Sequence, residues 1–398
     1  MLPLAGVKVI ELAQNLAGPF AGDILAQLGA DVIKIERPGG GDDARGWGPP
    51  VHDDTATTFM AVNKGKRSIT LDLKDAAAID WLKDYVRDVD VVVQNLRPGA
   101  VEELGLGPKD LCALNPRLVY CTLSAFGHKG PKAMDPGYEP ILQGFSGMMM
   151  MNGEDGGPPT RVGMQVLDLG TGLWAALGVV AAINRRHTTG KGGTVDASLL
   201  ETALGWMSCH FAGYSVTGKP PRRHLSGNPN TIVFQAFDTA TTPIMIAAAN
   251  DRLFVRFCEV LGRSDIGADP RFKSNRLRVE NKAHLLPVLE AIVRTASCES
   301  WIEKLEAAKV PCGPINDMAS MDQEPQVAAL GIIEPLPDRP VRTVHLPISI
   351  DGERMRPARS VPAAGEHTEE IVRWWNSPRS ARPARPSCTA SPASASAR

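Results

Sequence analysis

Cysteine is scarce and scattered in this chain: seven residues, at positions 112, 121, 209, 258, 298, 312 and 388, an odd number with no two at metal-ligand spacing. That excludes a disulfide framework and fits reduced thiols in a cytoplasm. The eight histidines form no H-x-x-x-H or Cys/His cluster, so neither a structural nor a catalytic zinc is expected. Net charge is nearly absent as well: it is -1, with a sequence pI of about 6.7, which argues against nucleic acid or an anionic membrane as the main partner. No apolar run reaches the length of a membrane span, and the best apolar helix, Leu173 to Ile183, is short. Met1 to Lys8 carries no charged stretch followed by an apolar core, so no secretory leader is expected and the protein is expected to be cytoplasmic. The common nucleotide and hydrolase signatures are missing too. There is no G-x-x-x-x-G-K-[ST], and the first strand is not followed by G-x-G-x-x-G. Gly39-Gly-Gly41 runs into Asp42-Asp43, which repels phosphate, and Gly144-Phe-Ser-Gly147 has the wrong spacing for a nucleophile elbow.

What remains is an ordinary globular composition, 43% hydrophobic and 22% charged, over 398 residues. That length suggests roughly two to three domains. Gly6 to Ala13 reads as a buried strand, Phe20 to Leu28 as a helix and Asp31 to Glu36 as a second strand: one β-α-β unit, hence a parallel pair with a right-handed crossover. Strands follow at Ser68–Leu73, Val91–Asn95 and Leu118–Leu123, with a helix from Ala76 to Val89. After the Leu173–Ile183 helix come a strand at Thr194–Ser198 and a helix at Leu199–Tyr214. This alternation predicts a doubly wound, mostly parallel α/β sheet of Rossmann type, in a large domain spanning 1–215. Thr217 to Pro229 reads as a linker. Residues 225–325 carry two strands and three helices and are expected to form a smaller α+β domain, with 330–375 returning to the large one. Residues 377–398, almost wholly Ser, Pro, Ala and Arg, are expected to be a disordered tail.

Asp168 is a candidate for chemistry. It stands between a Gly/Pro-rich loop, Asn152 to Pro159, and the apolar helix. A carboxylate at a helix start is favoured in its ionised form and can attack an activated acyl group, but Asp is also a favoured N-cap. Ligands of open parallel sheets bind at the carboxyl ends of the strands. Arg37, Lys74 and, just past Asn95, Arg97 fall there, so three cations could converge on one phosphate-bearing ligand. Each alone reads more readily as a solvated charge edging a strand.

The ordered set of motifs is more specific. Leu16-Ala-Gly-Pro-Phe20 is followed by Leu28-Gly-Ala-Asp-Val-Ile-Lys-Ile-Glu-Arg-Pro38 and Gly41-Asp42. Asn63 to Ser68, Leu71-Asp-Leu-Lys74, Gln94 to Gly99, Asn115 to Val119, Gly127 to Pro131, Gly137-Tyr138, Asp168, Gly227-Asn228, Pro311 to Ile315 and Gly365 to Thr368 come next. Over about residues 5 to 372 this pattern resembles the family III CoA-transferases, the formyl-CoA and carnitine CoA-transferase group. Gly41 to Pro50 resembles the branch using succinyl-CoA and dicarboxylates. The resemblance implies a large α/β domain with a small one, in a homodimer of interlocked chains. It implies transfer of CoA between an acyl-CoA and a free acid through an aspartyl anhydride and an enzyme–CoA thioester, with coenzyme A as substrate and no metal or redox cofactor. Asp168 matches the catalytic Asp. The matching CoA contacts are Leu16, Ala17, Arg37, Leu71, Asp72, Leu73, Lys74, Asn95, Leu96, Arg97 and the Asp135–Tyr138 loop with Gly137 and Tyr138.

The chain departs from the pattern at three places. Ser226-Gly-Asn-Pro229 stands where the formyl-transferring member has a run of glycines. Glu103 replaces an Arg that contacts CoA in some members, and the tail stands where the family has a further helix. Two other readings share the fold: an α-methylacyl-CoA racemase, and a non-catalytic CoA-binding protein. The resembling racemases carry a His where Tyr138 stands, and a phenol with an ordinary pKa of about 10 is a poor base near neutral pH. Arg45 or Arg161 could hold the distal carboxylate of a dicarboxylate substrate, or serve in a structural ion pair.

Overall fold

The computed structural model describes residues 1–376; the expected tail at 377–398 lies outside the described residues. The first expected unit forms as β1 (Lys8–Leu12), α1 (Ala17–Gln27) and β2 (Asp31–Glu36). Then come β3 (Arg67–Thr70), α2 (Ala76–Val86), β4 (Val91–Gln94) and β5 (Val119–Ser124). A short helix α3 (Glu139–Phe145), the long helix α4 (Val166–Thr189), β6 (Gly193–Ser198) and α5 (Leu199–Trp206) complete the main elements.

The six strands make one parallel sheet in the order β3-β2-β1-β4-β5-β6. Val9 faces Val32 on one side and Val91 on the other, so the register joins apolar runs that are buried on both faces, as a covered parallel sheet requires. The strand order reverses between β1 and β4. In a doubly wound sheet this switch point opens a crevice at the carboxyl ends of the two strands. Ile10, Ile33, Ile69, Val92 and Tyr120 form the core on one side with Leu82 and Tyr85 of α2.

The described residues divide into two compact units. One comprises Met1–Met148, Arg161–Ala212 and the chain from Leu330 onward; the other comprises Met149–Thr160 and Gly213–Ala329. Met149–Thr160, expected within the large 1–215 domain, belongs to the second unit, whose core is built by chain far from it in sequence. That unit holds an antiparallel sheet of Cys312–Pro314, Ile244–Ala247 and Phe234–Phe237. Phe237, Phe254, Phe257, Leu289 and Trp301 pack its core. Arg278 is fully buried there, donating to the carbonyls of Ile232 and Phe272 and to Asp251.

Several expected boundaries moved. The apolar helix expected from Leu173 to Ile183 runs over 24 residues as α4, because the loop before it closes into helix from Val166 and the cationic stretch Arg185–His187 continues it. It is the one helix among the described residues long and apolar enough to cross a membrane, and half of its apolar window is buried within the molecule. The expected Leu199–Tyr214 helix breaks at Met207 into α5 and Ser208–Thr217. A helix at Thr368–Asn376, not expected from the sequence, buries Ile371 and Trp375, the latter against Tyr85 at 4.7 Å. The Gly365–Thr368 motif fastens this end to the edge strand. Gly365 N donates to Ser68 Oγ at 2.9 Å and Thr70 N donates to Thr368 Oγ1 at 3.0 Å, which covers the open edge of β3.

Candidate active site

At the switch point the chain leaving β1 turns sharply into α1. Gln14 N donates to Asn95 Oδ1 at 2.8 Å, and Asn95 Nδ2 donates to Gln14 O at 2.7 Å. Asn95 follows β4, so one side chain ties the carboxyl ends of the two central strands together. Beside it lies a cavity of about 300 Å³. Its lining includes Leu16, Ala17, Asn95, Leu96, Arg97, Gly137, Tyr138 and Asp168, together with Gln14, Asn15, Trp47, Asp135 and Glu139. A second cavity of about 170 Å³ is lined by Arg37, Leu71, Asp72, Leu73 and Lys74. Gln14 and Leu96 line both, so the two adjoin. All the expected site residues therefore line one or other of two neighbouring hollows.

Asp168 reaches the first cavity from α4. It is not the N-cap: that position is Gln165, whose side chain makes no capping bond, and Asp168 sits inside the first turn. The expectation that the helix start keeps it ionised is corrected as well. Burial, reinforced by the neighbouring carboxylate of Glu139, pushes the Asp168 carboxyl up to about 7. Desolvation here outweighs the partial charge of the helix start. The approach of α4 to the turn depends on Gly172, one turn beyond Asp168. A Cβ there would come within 2.6 Å of the Ala17 carbonyl oxygen and 3.1 Å of Ala21 N. Thr171 Oγ1 meets Thr202 Oγ1 at 2.8 Å and fixes α4 against α5.

Glu139 was not singled out from the sequence, although it adjoins Gly137-Tyr138. It opens α3, is buried, and accepts a hydrogen bond from Gln143 Nε2. Gln143 in turn accepts from Val162 N at 2.9 Å, which ties down the loop leading to Asp168. The sequence signal was the Glu139-Pro140 pair, an acid and a proline in a first helical turn.

The cations are arranged less simply than three strand ends suggested. Arg37 and Lys74 share the smaller cavity, whereas Arg97 lines the larger one. Arg37 is exposed and ion-paired with Asp43, and Arg97 with Glu103. Glu103 thus neutralises Arg97. Arg45 is structural. It makes a two-pronged bond to buried Glu36 at 2.8 and 2.6 Å, donates to Pro362 O, and stacks over Phe59 at 3.9 Å. Arg161 is exposed.

The switch point of a doubly wound sheet thus gathers a carboxylate, Asp168, and Arg97 in one cavity, with Arg37 and Lys74 in the next. The family model described as CoA-transferase family III matches residues 4–368, and the chain belongs to that family. A relative from Homo sapiens, "Succinyl-CoA:glutarate CoA-transferase", is 34% identical over 374 residues, covering 93% of this chain and 85% of that protein. "Acetyl-CoA:oxalate CoA-transferase" of Acetobacter aceti is 40% identical over 332 residues, covering 83% and 85%. Among solved structures, a CAIB/BAIF family protein from Brucella suis superposes with a TM-score of 0.85 at 35% identity, covering 94% of this chain and 99% of that one.

Proposed function

We propose that this family III CoA-transferase moves CoA from an acyl-CoA donor, succinyl-CoA by analogy with the glutarate-using relative, to a free dicarboxylic acid, with Asp168 as nucleophile. The carrying observation is that Asp168 and the expected CoA contacts Leu16, Ala17, Asn95, Leu96, Arg97, Gly137 and Tyr138 line one cavity. A carboxylate drawn out of water is a stronger base and nucleophile than one in solution, and burial of Asp168 supplies that. Its ionised oxygen attacks the thioester carbonyl; the carbon–sulfur bond breaks and CoA thiolate leaves, forming a mixed anhydride. The thiolate then attacks the aspartyl carbonyl, expelling the donor acid and leaving Asp168 as its CoA thioester. The acceptor carboxylate attacks that thioester and releases thiolate. Attack of the thiolate on the acceptor acyl carbon restores Asp168 and forms the new acyl-CoA. The thioester is activated already, so this reading uses CoA as substrate and no metal or redox cofactor.

Arg37 and Lys74 in the adjoining cavity suit the phosphates of the nucleotide end. With Arg45 engaged by Glu36, Arg161 is the remaining candidate for a distal carboxylate. A homodimer is part of the proposal: Leu173, Trp174 and Leu177 of α4 and Leu204 and Trp206 of α5 are exposed large apolar side chains of a kind a second chain would cover. A panel of acyl-CoA donors against free mono- and dicarboxylic acids, read by mass spectrometry, tests the reading. Transfer to a dicarboxylate, lost in Asp168→Ala, is expected. Turnover of the Ala variant at the wild-type rate refutes the role of Asp168. Light scattering showing a stable, active monomer refutes the dimer.

A further inference from the structure

Four charged side chains are fully buried beside the switch point with no chemistry assigned to them. Lys34 of β2 lies 3.0 Å from Glu11 of β1 and 2.8 Å from Asp42. Lys66 lies 2.8 Å from the other oxygen of Glu11. Two cations thus balance two carboxylates. Isolated buried charges are costly, and an ion pair of this kind is often no more stabilising than apolar residues of the same shape, so stability alone gives little reason to keep it. Besides bonds to Asn63, Ala44 and Glu36, three bonds of the network end on one short segment. Lys34 Nζ donates to Ala13 O at 2.7 Å, Asp42 Oδ1 accepts from Asn15 N at 3.1 Å, and Lys66 Nζ donates to Pro19 O at 2.7 Å. Between these three anchors lie Gln14, Asn15, Leu16 and Ala17, which line the cavity that holds Asp168. Asn15 sits in the left-handed region, at φ 67°, where a non-glycine residue needs to be held. Gly22 belongs to the same device. Any Cβ there would fall 1.8 Å from Glu11 Oε2, so only glycine lets α1 lie over the buried carboxylate.

We propose that Lys34, Asp42 and Lys66, charge-balanced through Glu11, are positioning residues: together they hold the Ala13–Pro19 turn rigid as the cavity wall that receives the thioester end of the acyl-CoA. The last clause rests on the function proposed above; the clamp itself does not. A nearby ion pair supplies a control. Lys64 and Asp23 are equally buried at 3.3 Å, but neither bonds to the Ala13–Pro19 backbone.

Removing single charges risks an unfolded protein, so the test removes neutral pairs: Lys34→Met with Asp42→Asn, against Lys64→Met with Asp23→Asn. Amide hydrogen exchange of the full-length protein is followed in the peptide covering residues 13–19, together with the dissociation constant for succinyl-CoA and kcat/KM. In the first pair, exchange in that peptide is expected to rise about tenfold with β1 and β2 still protected, and succinyl-CoA affinity or kcat/KM to fall by about tenfold or more, as for a displaced site wall. In the control pair both are expected to stay within about twofold, whatever happens to melting temperature. Unchanged exchange in the first pair overturns the clamp. Raised exchange with unchanged affinity and kcat/KM overturns its role in positioning. A wild-type protein that neither binds succinyl-CoA nor transfers CoA refutes the proposed function, and the exchange result still decides the clamp.

Discussion

Gly172 of α4 faces the carbonyl oxygen of Ala17 so closely that a single added methyl group would stand 2.6 Å from it. This contact sets how near the Asp168 helix comes to the turn that lines the cavity. In an ordinary helix interior Gly→Ala gains up to about 1 kcal/mol. Here Gly172→Ala is expected to lose about 1–3 kcal/mol, because backbone on the other side cannot yield as a side chain would. Denaturant titration gives the stability, and kcat/KM is expected to fall by more than the unfolded fraction explains. A more stable, fully active variant contradicts the contact.

Asp168 carries a pH signature. Its folded-state pKa, pushed up to about 7 by burial and then by Glu139, lies above the ordinary value of about 4. The folded protein therefore keeps a proton that the unfolded chain has released. The stability associated with that proton is present below about pH 4 and is lost as pH rises through about 7. Asp168→Asn is accordingly expected to be more stable than wild type at pH 8, by up to a few kcal/mol at about 1.4 kcal/mol per pKa unit, and no more stable at pH 4. Activity runs the other way: kcat/KM rises with pH and levels off above about 7, as the nucleophile ionises. A rate profile that is flat from pH 5 to 8 contradicts the burial argument.

Periodicity and alternation made the parallel sheet legible, since its strands are continuous apolar runs such as Val91–Val93 whose burial on both faces leaves little ambiguity. The site was legible in part, because strand-end residues are set by topology. Glu139 and the Lys34–Glu11–Lys66 network were not, because nothing local marks a charge as buried; Glu139 meets Asp168 only once α3 and α4 are in place, and Glu11 meets Lys34 and Lys66 across distant parts of the sequence. The helix at Thr368–Asn376 was hidden by its neighbourhood: its apolar face reads as such only once Tyr85 is there to receive Trp375.

Arg97, which lines the larger cavity, forms an exposed pair with Glu103. If Arg97 binds the nucleotide end of CoA, its contact is common to ground and transition states. Arg97→Ala is then expected to raise KM for the CoA ester several-fold, on the order of threefold to tenfold, with kcat little changed. Glu103→Gln, which frees the guanidinium, is expected to move KM the opposite way. Raised ionic strength should shrink both differences, because the pair is solvent-exposed. Steady-state kinetics of the two variants at low and high salt check this; an unchanged KM in both removes Arg97 from the binding site.

Arg45 offers a contrast, since its partners are Glu36, Pro362 and the Phe59 ring. Arg45→Lys keeps the charge but loses the two-pronged bond and the stacking. It is expected to destabilise the fold by about 1–3 kcal/mol while leaving the ranking of acceptor acids as in wild type. A changed preference between mono- and dicarboxylates, measured by competition in one reaction mixture, would place Arg45 in the substrate site after all.

The last prediction concerns the hydrogen on the α-carbon of the acyl group. A racemase on this fold must remove that hydrogen and return one from the opposite side, so it needs an acid/base pair flanking the carbon. Asp168 shares its cavity with Tyr138 and Glu139. Tyr138 is largely exposed, and a phenol is not a base near neutral pH. Glu139 is hydrogen-bonded to Gln143 and acts on Asp168 as a like charge. In the transfer reaction proposed here the acyl group leaves sulfur, visits Asp168 as an anhydride and departs as a free acid, and the α-hydrogen is never touched. Incubated in deuterated water with a 2-methylacyl-CoA, the enzyme is expected to incorporate no deuterium at that carbon. With a dicarboxylate acceptor added, CoA is expected to move while the α-hydrogen stays. Hydroxylamine added during turnover should convert Asp168 to its hydroxamate, detectable by peptide mass spectrometry. Rapid exchange at the α-carbon, without the hydroxamate, would instead make Asp168 one half of an acid/base pair.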